Sequence, residues 1–313
     1  MKILLLGKNG QLGWELQRCL APLGEVRALD YPEIDLANRD SLRDSIRASQ
    51  PEVIINATAY TAVDRAESES DLAYAINAAG PAAIAEEAKS LGAALIHYST
   101  DYVFDGTKGK PYIETDTPNP LSVYGKSKLA GEQAVQSVAE HGAYLILRTA
   151  WVYSTRRDSF ISKVLQWARQ NKTLKIVDDQ VSNPTWARML AQATALSLAR
   201  AGNNFYPWLA GRKGLYHLAG DGYVSRLEWA RKILELDPHR DEQVCKEILP
   251  ALTSDFPTPA QRPLLSALDC NHFAAIFTLR VLRGLRLPAW EAALRIAMER
   301  TDDSTRVPKG NIL

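Results

Sequence analysis

The feature that most constrains the fold of this chain is a glycine-rich turn close to its start. The apolar residues 3–6 are followed at once by Gly7-x-x-Gly10-x-x-Gly13, and a helical pattern begins at Gln11. Glycines allow a tight turn between a strand and a helix, and they let a pyrophosphate approach the free N–H groups of the helix N-terminus. The pattern therefore predicts a dinucleotide-binding loop. Its candidate residues are Gly7, Asn9, Gly10, Gln11, Leu12 and Gly13.

An acidic residue, Asp30, ends the second predicted strand (residues 26–30), where an acceptor for the ribose hydroxyls of a dinucleotide is expected. A carboxylate there disfavours the 2′-phosphate of NADPH, but Lys8 and Arg27 are close enough in sequence to offset it. The choice between NADH and NADPH therefore stays open.

Two short segments are further candidates for the cofactor site. Asp35 and Leu36 follow the second strand and resemble an adenine-side contact, although a solvated loop is an equally good interpretation. Ala59, Tyr60 and Thr61 follow the third predicted strand (residues 53–57), at the sheet edge where small residues let the backbone lie against a cofactor. The alternative is that these small residues only permit close packing.

Short apolar runs alternate with helical patterns throughout residues 1–150. This alternation predicts an α/β fold with a Rossmann-type doubly wound parallel sheet. Residues 151–313 contain longer amphipathic helices and proline-rich loops, which predict a smaller, mainly helical substrate-binding domain. We expect a strand and a helix from residues 174–201 to return to the first domain.

Composition excludes several classes of protein. Lys and Arg number 37 against 36 Asp and Glu, so the net charge of +1 favours neither nucleic acid nor an anionic membrane. Three scattered cysteines and the absence of zinc-type spacing predict neither disulfides nor a metal. No apolar run approaches the roughly 20 residues of a membrane helix, and the start lacks a signal peptide. We expect a cytoplasmic protein.

Tyr124 and Lys128 are the strongest candidates for catalysis. They are four residues apart at the start of a predicted helix, so they share one helix face. A nearby ammonium group lowers the pKa of a phenol, which would suit Tyr124 to donate a proton to a carbonyl oxygen while hydride reaches the carbon. Lys128 could also hold the ribose hydroxyls of a nicotinamide nucleotide.

A hydroxyl pair lies at the end of the fourth predicted strand. Ser99 and Thr100 are expected at the same sheet edge as Tyr124, where a hydroxyl can hydrogen-bond a substrate carbonyl. The helix start with Tyr124 and Lys128 and this hydroxyl edge together predict hydride transfer coupled to proton donation.

These motifs resemble those of the extended short-chain dehydrogenase/reductases. The resemblance rests on the glycine loop, on Ser-Thr-Asp-Tyr-Val-Phe-Asp-Gly from residue 99 and on Tyr-Gly-Lys-Ser-Lys-Leu-Ala-Gly-Glu from residue 124. Residues 56–64, 148–153 and 257–263 narrow it to a subfamily that acts on thymidine-linked keto sugars. It implies NADPH- or NADH-dependent reduction of the 4-keto group of dTDP-4-dehydro-L-rhamnose to dTDP-L-rhamnose.

The resemblance also implies roles for individual residues. Tyr124 is the proton donor with Lys128 as its partner, Thr100 lies beside the sugar carbonyl, and Tyr98 lines the nicotinamide side. It places Asp101 and Trp151 on the substrate. We add Arg262 as a candidate for the substrate diphosphate, because a planar guanidinium suits paired phosphates; a surface or capping role fits equally well.

Departures from the family and rival functions define the remaining alternatives. Some relatives form metal-bridged dimers through glutamates that include the counterpart of Glu15. Arg188 and Arg300 occupy the other positions here, so we expect ion pairs with Glu15, no metal, and a monomer or weak homodimer.

An epimerase or dehydratase of the same family remains a rival, although a dehydratase typically has Asp-Glu where this chain has Asp101-Tyr102. A non-catalytic, dinucleotide-binding regulatory subunit is the second rival.

Overall fold

The computed structural model describes residues 1–140, 142–277 and 285–299. The strands are β1 (Lys2–Leu6), β2 (Glu25–Leu29), β3 (Val53–Asn56), β4 (Ala94–Thr100), β5 (Tyr144–Thr149), β6 (Val152–Tyr153), β7 (Thr173–Val177), β8 (Val181–Ser182), β9 (Thr185–Trp186), β10 (Gly214–His217), β11 (Val224–Ser225) and β12 (Glu247–Ala251). The helices are α1 (Gln11–Leu20), α2 (Arg39–Ser49), α3 (Val63–Ala66), α4 (Ser70–Tyr74), α5 (Gly80–Leu91), α6 (Val123–Val138), α7 (Phe160–Gln170), α8 (Ala187–Ala201), α9 (Phe205–Ala210), α10 (Arg226–Glu235), α11 (Asn271–Ile276) and α12 (Trp290–Glu299).

A parallel sheet in the order β2-β1-β3-β4-β5-β10 forms the centre of the molecule. Strands β3, β4 and β5 are buried along their whole length, as their continuous apolar sequences require. One face of the sheet packs against α1, α8, α9 and α11, and the other packs against α2, α5 and α6. The predicted α/β fold with a doubly wound parallel sheet is therefore confirmed.

The strand expected to return to this sheet from residues 174–177 was wrongly placed. It is β7, which pairs in parallel with β12 in a separate two-stranded sheet. Thr173 and Lys175 are exposed whereas Leu174 and Ile176 are buried, and such an alternating strand does not suit a sheet covered on both faces. Strand β10 joins β5 at the sheet edge instead, while helix α8 does pack against α1 on the main sheet.

A second core lies beyond the main sheet. It contains Tyr153, Leu174, Trp229, Ile233 and residues of α7 and α12. Because there are two cores, we propose the two units that the sequence predicts, divided near residue 150. Helix α8 and strand β10 follow residue 150 in the chain but pack in the first unit. In the part of the chain that the structure describes, no helix is both long enough and apolar enough to span a bilayer.

Candidate active site

The glycine loop lies between β1 and α1 and packs too tightly for larger residues. Gly7 has a φ of +95°, and a Cβ atom on Gly13 would stand 1.8 Å from the Gly7 carbonyl oxygen. A Cβ on Gly10 would meet only that same oxygen, at 3.4 Å, so the side of the loop above Gly10 is open. The N-cap residue of α1 is Gly10, which has no side chain to cap the helix, so among the described residues the first N–H groups are available for an anion. The loop therefore fits a pyrophosphate.

Asp30 lies directly beside this loop. Its Oδ2 accepts a hydrogen bond from the Asn9 N–H at 2.8 Å, and its Oδ1 accepts one from the Tyr31 N–H at 2.8 Å. Lys8 pairs with Glu33, and Arg157 donates to the Asn9 carbonyl. The corner where a ribose would lie thus carries charges of both signs.

The two segments proposed for the rest of the cofactor site have different environments. Leu36 is buried in the core against Gly80, and the Asp35 carboxylate accepts the Ala37 N–H at 2.9 Å within a local turn. Ala59, Tyr60 and Thr61 follow β3 at the carboxyl edge of the sheet, as expected from the sequence. The Tyr60 hydroxyl is bound to Glu69 rather than directed at that edge.

Asn77, which the sequence analysis did not select, holds the loop after β3. It lies in a π-helical turn, Ala75–Ala79, between α4 and α5. Its side chain accepts the Tyr60 N–H at 2.9 Å and donates to the Tyr60 carbonyl and to the Ser127 hydroxyl, at 3.1 and 3.0 Å. It thereby joins this loop to α6. The sequence signal for this residue is the segment 77–81, Asn-Ala-Ala-Gly-Pro, which interrupts the helical pattern. In the structure this region contains the π-helical turn, and such turns are frequent at functional sites.

Tyr124 and Thr100 meet at the end of β4. Ser122 caps α6 by accepting the Gly125 N–H at 3.2 Å, which fixes Tyr124 in the first turn. The Tyr124 hydroxyl interacts with that of Thr100, and its ring lies edge-on to Tyr102 with 5.7 Å between centroids. Burial is the main reason that the pKa of Tyr124 is raised, so the phenol is protonated at neutral pH.

The prediction that Lys128 lowers the pKa of Tyr124 is wrong for this structure. The Lys128 ammonium is buried and donates to the Tyr98 carbonyl at 2.7 Å, and burial raises the pKa of Tyr124 where a lowered pKa was expected. Burial lowers the pKa of Lys128 to about 8, with Glu132 opposing that change. The two residues share a helix face, but Lys128 is held by backbone.

Tyr98 contributes its backbone to the site rather than its ring. The side chain is buried in the core, and its hydroxyl lies 2.5 Å from that of Thr194 on α8. The carbonyl of Tyr98 faces Lys128.

Ser99 points away from the substrate edge, contrary to expectation. Its hydroxyl donates to Glu132 at 2.5 Å, and Glu132 also forms a bidentate ion pair with Arg148 at 2.9 and 2.6 Å. All three side chains are buried. Successive residues of a strand face opposite sides of the sheet, so only Thr100 of the hydroxyl pair faces Tyr124.

Asp101 is buried among hydroxyl groups. Its Oδ1 accepts the Thr100 hydroxyl at 3.1 Å, and its Oδ2 accepts those of Ser182 and Ser266 at 3.0 and 2.5 Å. Burial raises the pKa of Asp101 to about 6 against the opposing effect of these hydrogen bonds. The side chain predicted to contact substrate is thus 2% exposed and fully engaged by the protein.

Trp151 lies beside the site in a strained conformation. Its φ is +39°, which is rare for a side chain of this size. The ring stacks on Trp229 with 5.4 Å between centroids, and the Arg226 guanidinium lies over the Trp151 ring, 4.2 Å from its centroid. Arg226 also interacts with Tyr102, which connects this stack to Tyr124.

A cavity of about 520 Å³ is lined in part by Arg226. Aromatic and cationic side chains make up much of its wall. They are Phe160, Trp167, Phe256, Lys163, Lys175, Arg226 and Arg262. Such a lining suits a ligand with a flat ring and anionic groups.

The two arginines of this cavity differ in their partners. Arg262 forms a bidentate ion pair with Asp64 on α3, at 3.0 and 2.7 Å, and donates to Thr258 and Ala260. Arg226 instead donates from Nε to the neutral amide of Gln180 at 3.0 Å. Arg226, which sequence analysis missed, therefore presents the less neutralised charge to the cavity.

The ion pair predicted at Glu15 is confirmed on one side. Arg188 Nε lies 3.0 Å from Glu15 Oε2, between α8 and α1. Arg300 lies outside the described residues, as does the tail from residue 301.

The chain is similar over nearly its whole length to proteins of one family. A family model described as the RmlD substrate binding domain matches residues 1–302. A dTDP-4-dehydrorhamnose reductase of Shigella flexneri is 42% identical over 301 residues, which cover 94% of this chain and 96% of that protein. A solved dTDP-4-dehydrorhamnose reductase from Clostridium acetobutylicum has a TM-score of 0.83 at 34% identity, covering 96% of this chain and 99% of that one. Another, from Bacillus anthracis in complex with NADP, has a TM-score of 0.82 at 32% identity, with the same coverage.

Proposed function

The chain belongs to the RmlD substrate binding domain family, and from that premise we propose that it reduces the 4-keto group of dTDP-4-dehydro-L-rhamnose to give dTDP-L-rhamnose. The observation that carries this proposal is the convergence of three features at one sheet edge. The open glycine loop follows β1, and the Thr100–Tyr124 hydroxyl pair lies at the end of β4. The cationic, aromatic cavity is connected to the same edge through Arg226, which interacts with Tyr102, and Arg262, which pairs with Asp64. Ligands of doubly wound sheets bind at that edge.

NADPH or NADH, when bound, supplies the hydride. The free N–H groups at the start of α1 would hold its pyrophosphate, and Asp30 would face the adenosine ribose. The mixed charges around Asp30 favour acceptance of both cofactors. Lys128, which donates to the Tyr98 carbonyl, would also donate to the nicotinamide ribose.

Tyr124 donates the proton to the keto oxygen in this proposal. The raised pKa of the phenol keeps that proton on Tyr124 until negative charge develops on the substrate oxygen. Trp151, which contacts both Trp229 and Arg226, borders the sugar. Arg226 binds the diphosphate beside Arg262, since Asp64 already neutralises the latter.

Coupled turnover tests the assignment. dTDP-glucose is supplied with the upstream dehydratase and epimerase, and loss of NADH or NADPH absorbance is followed. We expect stoichiometric oxidation of cofactor and formation of dTDP-L-rhamnose. An epimerase or dehydratase would recycle its cofactor, and a regulatory subunit would give no turnover; either result would refute the proposal. We also propose that the protein is cytoplasmic and that it is a monomer or weak homodimer. Sedimentation with and without magnesium would test the oligomeric state.

A further inference from the structure

The loop that follows β6, residues 154–158, brings the second unit to the glycine loop. It contains two consecutive arginines, Arg156 and Arg157, whose side chains are exposed. Arg157 donates from Nη1 to the Asn9 carbonyl. That carbonyl belongs to the peptide bond that leads into Gly10, the N-cap of α1, above which the loop is open. A cation from the second unit therefore lies beside the place where a pyrophosphate fits.

Trp14 on α1 fixes the position of the 154–158 loop. The Arg156 guanidinium lies over the Trp14 ring, 3.1 Å from its centroid, and the Arg18 guanidinium lies 3.3 Å from the same centroid. Two guanidinium groups this close to one centroid would overlap if they shared a face, so the indole lies between them. Such contacts of arginine with an aromatic face are attractive. The residue next to Arg157 is thus anchored on the helix that the glycine loop begins.

The arginines around the glycine loop repel one another. Loss of solvent, followed by the charges of Arg18 and Arg157, lowers the pKa of Arg156. The Glu15 carboxylate opposes this change, but it is already paired with Arg188 at 3.0 Å. An anion bound among these guanidinium groups would relieve the repulsion, because opposite charges at close range favour the charged form.

We propose that Arg157 binds the pyrophosphate of the dinucleotide, together with the free N–H groups of α1. In the free protein its guanidinium donates to a neutral carbonyl, and an anionic phosphate oxygen is a stronger acceptor. A planar guanidinium can also donate two parallel hydrogen bonds to a phosphate. This role rests on the proposed reductase function, and it places a residue of the second unit on the cofactor.

Two other roles for Arg157 make different predictions. If Arg157 only ties its loop to Asn9, its effect on cofactor binding should depend little on salt, because the Asn9 carbonyl is neutral. If it binds the 2′-phosphate, which NADPH has and NADH lacks, its loss should weaken NADPH alone. A pyrophosphate ligand should affect both dinucleotides equally, and salt should reduce its contribution.

The test measures the Kd of NADH and of NADPH for the full chain by the change in their fluorescence. We expect Arg157→Met, which keeps a long side chain without charge, to raise both constants about tenfold, as for the loss of one hydrogen bond to a charged group. Arg157→Lys should recover part of the affinity, because a point charge remains. The ratio of variant to wild-type Kd should shrink as NaCl rises from about 0.05 M to about 0.5 M.

Arg200→Met is the matched control. Arg200 is exposed near the end of α8, about 18 Å along that helix from Arg188, so both Kd values should stay as in the wild type. Unchanged Kd values in Arg157→Met, a rise for NADPH alone, or a rise that salt does not reduce would overturn the proposal. Failure of the wild-type chain to bind either dinucleotide would refute the reductase function itself.

Discussion

Tyr124 is the residue on which the proposed reduction depends most directly. Replacing it by phenylalanine removes the proton donor but keeps the ring against Tyr102. We expect Tyr124→Phe to lose about 10²- to 10⁴-fold in turnover, the usual contribution of a positioned acid. Cofactor affinity, measured by quenching of NADPH fluorescence, should stay the same. Tyr223→Phe, at an exposed position, is the matched control, and a Tyr124→Phe enzyme with the control's turnover would exclude the assigned role.

The residue types at the site were predictable from sequence, but their partners were not. The spacing of Tyr124 and Lys128 places both on one helix face, as the structure has them. The carbonyl that holds Lys128 belongs to β4, and which backbone atom it meets depends on how α6 packs on the sheet. The opposite orientations of Ser99 and Thr100, by contrast, follow from strand alternation and could have been predicted.

Arg226 shows the limit of sequence reasoning at this scale. It stands in no motif, and an arginine at the start of an amphipathic helix is usually solvated. Only the packing of Trp151, Phe160 and Gln180 around its side chain indicates a binding role.

Among the secondary-structure elements, the β1–α1 turn permits a comparison of two glycines. Alanine at Gly13 would clash with the Gly7 backbone, and we expect Gly13→Ala to lower the free energy of unfolding by about 3 kcal/mol. Alanine at Gly10 fits the loop, since its φ of −67° suits any residue, but its methyl group projects where a pyrophosphate would lie. Gly10→Ala should keep its stability in urea unfolding and raise the Kd for NADPH. Equal stability of both variants would contradict this account.

Helix α6 is tied to β4 and β5 by the buried Ser99–Glu132–Arg148 group. Glu132→Ala would leave the Arg148 guanidinium buried without its carboxylate, and breaking such a pair typically costs about 3–5 kcal/mol. Urea unfolding measures the loss. Glu235→Ala, which removes an exposed pair with Lys232, should cost at most about 1 kcal/mol. Similar losses in the two variants would show that Glu132 is not the anchor of α6.

The strands were predictable where they are buried on both faces and misassigned where they are short or alternating. Strands β1, β3, β4 and β5 have continuous apolar sequences that only a covered sheet satisfies. Strand β10 has four residues and includes His217, so its sequence gave little sign of a place beside β5. Strand β7 has a clear pattern, but its partner β12 lies far along the chain.

At the scale of the whole molecule, buried histidines make stability depend on pH. Burial, followed by the charge of Arg148, lowers the pKa of His217 to about 3, while the unfolded chain keeps the ordinary value of 6.5. The unfolded state therefore binds an extra proton below pH 6.5. The free energy of unfolding should fall by about 1.4 kcal/mol per pH unit from this group as pH drops from 6.5 toward 3. Burial lowers the pKa of His97 in the same direction.

Urea unfolding at pH 4 to 7 tests this dependence. His217→Gln should show a shallower decline than the wild type over that range, and His272→Gln, at an exposed position, is the control. The contribution of Asp101 to the pH dependence of stability has the opposite sign. Its raised pKa makes the folded state bind a proton before the unfolded state does as pH falls toward 6, and this stabilises the folded state. A His217→Gln curve parallel to the wild-type curve would refute the prediction.

The late position of β10 in the chain has a consequence for biosynthesis. Strand β5 is complete at residue 149, but β10, which covers its open edge, ends at residue 217. A nascent chain on the ribosome thus exposes a bare apolar β-edge, a template for aggregation, while roughly 70 further residues are made. Halves cut near residue 150 should precipitate when expressed alone, and co-expression of the missing half should rescue them. The proposed division near residue 150 therefore does not give two halves that fold independently, because β10 from the second half completes the sheet of the first.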